Sequence, residues 1–136
     1  MKAVGSLIRL SNFQVEELQK RLSVIVDART QWELRMAVLE AEAESELANA
    51  RADAEAGWYM VGFRDGVKVR RKAIQDNIDS LIAEEEGARD ALNEAYEGLK
   101  KYEQVAENAA LAARREMAKR ETAALDELGL RRVAAR

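Results

Sequence analysis

The chain has 136 residues, 35% of them charged, a net charge of −3, and no proline, cysteine or histidine. Those absences exclude disulfides, thiolate and imidazole metal ligands, and the commonest general bases. No apolar run approaches the roughly 18 residues of a transmembrane helix, and Met1 to Leu10 lacks a signal peptide's hydrophobic stretch. The reading is a cytoplasmic protein with no direct membrane insertion.

A first helix is expected over about 6–56. Ser11 with Gln14 forms a capping box flanked by Leu10 and Val15 as a hydrophobic staple, and a start nearer Ser6 fits equally well. Val15, Leu18, Leu22, Ile25, Arg29, Trp32, Met36, Leu39 and Ala43 then alternate three- and four-residue steps, the signature of one narrow helical seam. Leu47, Ala50 and Ala54 continue it after a stutter that locally relaxes the supercoil. Gly57, Gly62 and Gly66 form the main cluster of helix breakers and mark a tip over about 57–66. Trp58, Tyr59, Met60, Val61 and Phe63 crowd into that tip, which would be polar if it only reversed the chain. They read as a docking site or as a small cap folded over the seam.

Asp65 before Gly66 is the expected N-cap of a second helix over about 67–130. Its seam runs through Ile74, Ile78, Leu81, Glu85, Ala88, Leu92, Ala95, Leu99, Tyr102, Ala106, Ala109 and Ala113. Gly129 is the expected stop, with a frayed basic tail over 131–136.

Seams this narrow cannot enclose a globular core, so each helix must lie along another. Pairing the two halves of the chain makes the fold class all-α, a long antiparallel two-helix coiled-coil hairpin treated as a single domain over 1–136. At 1.5 Å per residue the arms would form a rod on the order of 75 to 95 Å, without an interior. Folding at Val61 sets residue i opposite roughly 122 minus i, which brings Trp32 to Ala88 and Ala91, Arg29 to Asp90 and Glu94, and Glu85 to Arg35. Charges in a seam either fix register at a cost in stability or snorkel to water, and both readings stay open.

Sharper chemistry does not survive helical geometry. Glu40, Glu42, Glu44 and Glu46 alternate on a helix and point about 200° apart in succession, so they cannot converge on one ion. Glu84, Glu85 and Glu86 fail for the same reason, and acid–base catalysis needs a cleft that a rod lacks. The chain is therefore read as nonenzymatic, with no catalytic, cofactor or metal site. The basic run Lys68 to Lys72 stands in an acidic chain with no second basic strip beside it. Nucleic acid is thus a poorer partner than a protein surface, and a simply solvated helix face is the other reading.

The opening Ser6-Leu7-Ile8-Arg9-Leu10, followed by Phe13-Gln14-Val15-Glu16, resembles the N-terminus of the flagellar FliJ family, alphaproteobacterial members above all. Leu99-Lys100-Lys101-Tyr102-Glu103 resembles that family's Leu-Lys-Lys-x-Glu run. Arg114-Arg115-Glu116, Asp126-Glu127 and Arg131-Arg132 resemble its charged end, so the likeness covers the whole chain in order.

The resemblance implies a nonenzymatic, stalk-like coiled coil of the flagellar type III export apparatus. Its partners would be the hexameric export ATPase, the cytoplasmic domain of the membrane export gate, and export chaperones that it escorts. It would be peripheral at the cytoplasmic face of the inner membrane through that apparatus. The implied ATPase-binding end is Arg9, Phe13, Arg114, Arg115, Lys119, Arg120 and Glu121. The implied gate-facing region is Trp58, Tyr59, Met60, Phe63, Val67, Lys72 and Ala73. In that region Gly66 and Arg70 stand where the family often has an aromatic and a leucine, and Ile74 reads as a seam residue more than a contact. A virulence-secretion stalk and a self-assembling coiled-coil scaffold are the alternatives, and the Ser6 to Leu10 opening disfavours the former.

Overall fold

The computed structural model describes residues 2–52 and 54–135, with backbone alone at 54–56. Helix α1 (Lys2–Ala52) leads into a short 3-10 turn (Ala54–Tyr59), and α2 (Met60–Ala134) follows. No described residue lies in a strand. The two long helices pack on each other, so the chain forms the all-α helical hairpin that its seam periodicity calls for. Two compact units make it up: Glu16–Asn93, and Met1–Val15 together with Glu94–Arg136.

Within Glu16–Asn93 the seam is built as its spacing requires. Ile25, Leu39, Ala43, Val67, Ile78 and Ala88 are buried, while Leu18, Leu22, Trp32, Met36, Leu47, Ile74 and Leu81 are half-buried beside them. Each such aliphatic side chain contributes roughly 1.5–3 kcal/mol when fully removed from water, and here only part of that is realised.

The register differs from a fold at Val61. Arg29 meets Glu85 and Arg71 meets Glu40, so paired numbers add to 114 and 111 where that fold requires about 122. The cause is the turn. Met60, Phe63 and Val67 carry the three-and-four spacing up to the chain reversal, and burying Met60 and Val67 outweighs the roughly 1 kcal/mol that each of Gly62 and Gly66 costs inside a helix. Helix α2 therefore starts at Met60, Asp65 is an exposed residue inside it with no capping role, and the reversal moves back to Ala54–Tyr59.

Trp32 accordingly lies at the level of Leu81 and Ile82, away from Ala88 and Ala91. Its ring carries the Arg35 guanidinium 4.4 Å from the centroid, which occupies the arginine expected beside Glu85. Arg29 pairs with Glu85 in place of Asp90 and Glu94.

Glu85 is the charged centre of this seam. Its Oε1 accepts from Arg89 Nη2 at 2.9 Å and from Arg29 Nη2 at 3.4 Å, and Arg29 Nη1 donates to Glu33 at 2.8 Å. Arg29 Nε lies 2.9 Å from Glu85 Oε2 without hydrogen-bond alignment, so that contact is Coulombic. The hydrogen bond from Arg89, and then that from Arg29, hold the Glu85 carboxyl below the usual carboxylate range against the opposing effect of desolvation. Arg29 and Glu85 thus pair with each other across the helices.

In the second unit, Ser11, Val15 and Leu99 are buried, and Val4, Gly5 and Ile8 line a shallow groove with Ala106, Ala109, Ala110 and Ala113. Val4 and Ile8 extend the seam spacing toward the N-terminus, so α1 begins at Lys2 and Ser11 is a seam residue, with no capping box at that point. At the other end Gly129 adopts no positive φ and does not stop α2. Arg131 and Arg132 remain helical, and Ala135 N donates to Arg131 O at 3.0 Å.

Candidate functional site

Two places present chemistry that the seam does not consume. The first is the part of α2 that outruns α1. Every described residue from Ala110 to Ala135 is exposed, because α1 ends near the level of Ala110 to Ala113. Arg114, Arg115, Lys119, Arg120 and Glu121 all lie there in the open. Arg120 Nε sits 3.6 Å from Glu116, and Arg131 pairs with Glu127 at 3.0 Å. These are exposed pairs one helical turn apart, the kind that adds little stability and leaves the charges available.

Arg9 and Phe13 are also exposed, with Arg9 Nη2 donating to Ser6 Oγ at 3.2 Å. The pairing of Val4 and Ile8 with Ala106 to Ala113 sets Arg9 level with Val105 and Phe13 level with Lys101. They thus stand roughly 15 to 30 Å along the axis from the run Arg114 to Glu121 at 1.5 Å per residue. The seven residues form two patches on one unit, a basic overhang and a flank at Phe13.

The overhang also carries apolar residues that lie beyond the seam positions read from the sequence, which end at Ala113. Met117, Leu125 and Leu128 are 62%, 68% and 54% exposed. Their spacing of eight and then three residues was the available signal for an apolar face without a covering helix.

The second place is the chain reversal. Trp58 is 85% exposed and stands edge-to-face on Tyr59, with ring centroids 5.8 Å apart. Val61 beside them is open as well. Met60 and Val67 are buried in the seam and Phe63 is half-buried, so these three support the turn from within. Lys72 pairs with Asp76 at 3.1 Å, Ala73 is exposed, and Ile74 belongs to the seam. Arg71 forks onto Glu40 through two hydrogen bonds, 2.5 Å from Nε and 3.0 Å from Nη2, which draws the Glu40 carboxyl below its ordinary range. Among the described residues no group of three acidic side chains is arranged to hold a metal ion.

The Flagellar FliJ protein of Caulobacter vibrioides strain NA1000 / CB15N is 52% identical to this chain over 133 residues, covering 98% of this chain and 96% of the relative. The same protein from strain ATCC 19089 / CIP 103742 / CB 15 matches to the same extent. The chain belongs to the flagellar FliJ family. No family model matches it, and no solved structure does. This FliJ-family chain presents two patches of different character, basic on α2 past Ala110 in one unit and aromatic at Trp58 and Tyr59 in the other.

Proposed function

We propose that this chain is a nonenzymatic component of the flagellar type III protein export apparatus, a stalk-like hairpin that binds the hexameric export ATPase and links it to the export gate. The observation that carries the reading is the uncovered, basic, partly apolar stretch of α2 from Arg114 onward, taken with family membership. A helix that continues its own pattern beyond its intramolecular cover can enter a ring and complete its packing there. Arg114, Arg115, Lys119 and Arg120 supply charge for steering and register, which govern on-rate and specificity more than raw affinity. Arg9, Phe13 and Glu121 complete that end.

The opposite role falls to the turn. Trp58, Tyr59, Lys72 and Ala73 face the cytoplasmic domain of the gate, with Met60, Phe63 and Val67 holding them in place. Escort of export chaperones belongs to the same reading, as does a position at the cytoplasmic face of the inner membrane. Among the described residues no helix is long and apolar enough to cross a membrane.

Capture of the purified chain by the flagellar export ATPase, at low and moderate salt with hydrolysis followed in the same samples, tests the proposal. Salt-sensitive capture that raises hydrolysis is expected. The triple variant Arg114→Glu, Arg115→Glu, Lys119→Glu should lose capture while keeping its helicity by circular dichroism. Unchanged capture by that variant removes the assignment of this end, and no capture by the unmodified chain favours an autonomous coiled-coil scaffold.

A further inference from the structure

We propose that the apex of the hairpin turn makes shallow contact with an anionic lipid surface, through the side chains of Trp58, Tyr59 and Val61 backed by Arg64 and Lys68. The proposal rests on the reading of this end as facing a membrane-embedded gate.

The apex combines what an interfacial contact needs. Trp58 and Val61 are 85% and 71% exposed, and Tyr59, 39% exposed, stands against Trp58 at 5.8 Å, so three large side chains are open to solvent at the reversal. Indole and phenol rings each carry a polar tip on an apolar body and favour the boundary between headgroups and acyl chains. The charge is placed to match. Arg71 and Lys72 are engaged by Glu40 and Asp76, whereas Arg64 and Lys68 make no ion pair among the described residues.

Over Arg51 to Lys72 the sequence holds six basic residues against Asp53, Glu55 and Asp65, in a chain whose net charge is −3. Arg64 and Lys68 follow Val61 on one face of α2, about 4.5 Å and about 10 Å further along the axis. That setback is the depth at which phosphates lie when an apolar apex enters roughly 5–10 Å into the headgroup boundary. A convex apex suits a flat, yielding, negatively charged surface and needs no matching groove, and no helix need cross the bilayer.

The chain's own tryptophans provide the readout. Trp32 is half-buried in the seam, so a Trp32→Phe variant leaves Trp58 as the sole indole. Its emission should shift to the blue on adding vesicles of phosphatidylcholine mixed with phosphatidylglycerol, and not with phosphatidylcholine alone. The unmodified chain should co-sediment with the mixed vesicles and be released as salt rises. Replacing Arg64 and Lys68 with Gln should weaken partitioning by roughly thirtyfold, at about 1 kcal/mol per basic residue near the surface. A Trp58→Ser, Val61→Ser variant with unchanged helicity should not bind.

Equal binding to neutral vesicles, or retained binding by the serine variant, overturns the proposal. So does an emission shift that appears only with the soluble cytoplasmic domain of the gate, which leaves the gate reading standing. Absence of a shift with either probe removes the lipid contact and counts separately against the gate assignment.

Discussion

Leu99 to Ala109 and Leu111 to Ala134 belong to the same helix, and only the first has cover. In the first, Leu99 is buried and Tyr102, Ala106 and Ala109 are half-buried; in the second, every described side chain is exposed. Helical periodicity continues across the boundary, so the pattern specifies a helix and a face without specifying what lies on that face. What separates the stretches is pairing: Val4, Gly5 and Ile8 of α1 lie against Ala106 to Ala113, and no described side chain of α2 past that level is covered. One stretch contributes to the fold, and the other has no cover among the described residues.

The largest test of this contrast is truncation on either side of it. Ile78→Ala should cost roughly 2–5 kcal/mol in denaturant unfolding, because Ile78 is only 6% exposed and its neighbours cannot fully close the gap. Met117→Ala, on the uncovered stretch, should change stability by no more than about 0.5 kcal/mol. Equal losses at the two sites would mean that the overhang is covered in solution.

Acid comes next. The Glu85 carboxyl is held below its ordinary range when folded, so its contribution is complete above the unfolded carboxylate value and is lost as pH falls through the lower folded value. The unfolding midpoint should therefore decline on acidification through and below the ordinary carboxylate range. Glu85→Gln should flatten part of that decline and lower stability near neutrality, leaving a remainder from Glu40 on Arg71, whose carboxyl is shifted the same way. Glu127→Gln breaks only an exposed pair with Arg131 and should change stability near neutrality by no more than about 0.5 kcal/mol.

The smallest expected effect uses glycine. A Cβ at Gly87 or Gly129 would meet nothing within 4 Å, and neither residue has a positive φ. Gly87→Ala should raise stability by about 0.5–1 kcal/mol. Gly129→Ala should add helicity in circular dichroism while leaving the cooperative unfolding midpoint in place, because the helix there is not coupled to the seam.

Much of this fold was legible in the sequence. The residues from Val15 to Ala50 and from Ile74 to Ala109 that repeat in threes and fours are those that the structure buries or half-buries. Register was not legible, because it depends on where the chain reverses. Gly57, Gly62 and Gly66 drew attention to the breakers, while Met60, Phe63 and Val67 were already spaced as seam. Burial settled a competition that local propensity alone would have decided the other way. Ser11 and Gly129 teach the same lesson at the termini, since a capping residue type caps only where the helix ends. At the candidate sites, the exposure of Trp58 and of Arg114 to Glu121 could be anticipated. The withdrawal of Met60 and Val67 into the seam could not, for it follows from the register.

Pairing numbers that add to about 114 also set the order in which the hairpin can close. Contacts next to the turn join residues some twenty to thirty positions apart, whereas Val4 and Ile8 must wait for Ala106 to Ala113. Loop-closure entropy favours a zipper that starts at the turn and advances outward. During synthesis at about 5–20 residues per second, the first turns of α1 would stand without their cover for roughly 5–20 s. Their light apolar load, a few spaced aliphatic residues among polar ones, suits a segment that must spend that interval bare.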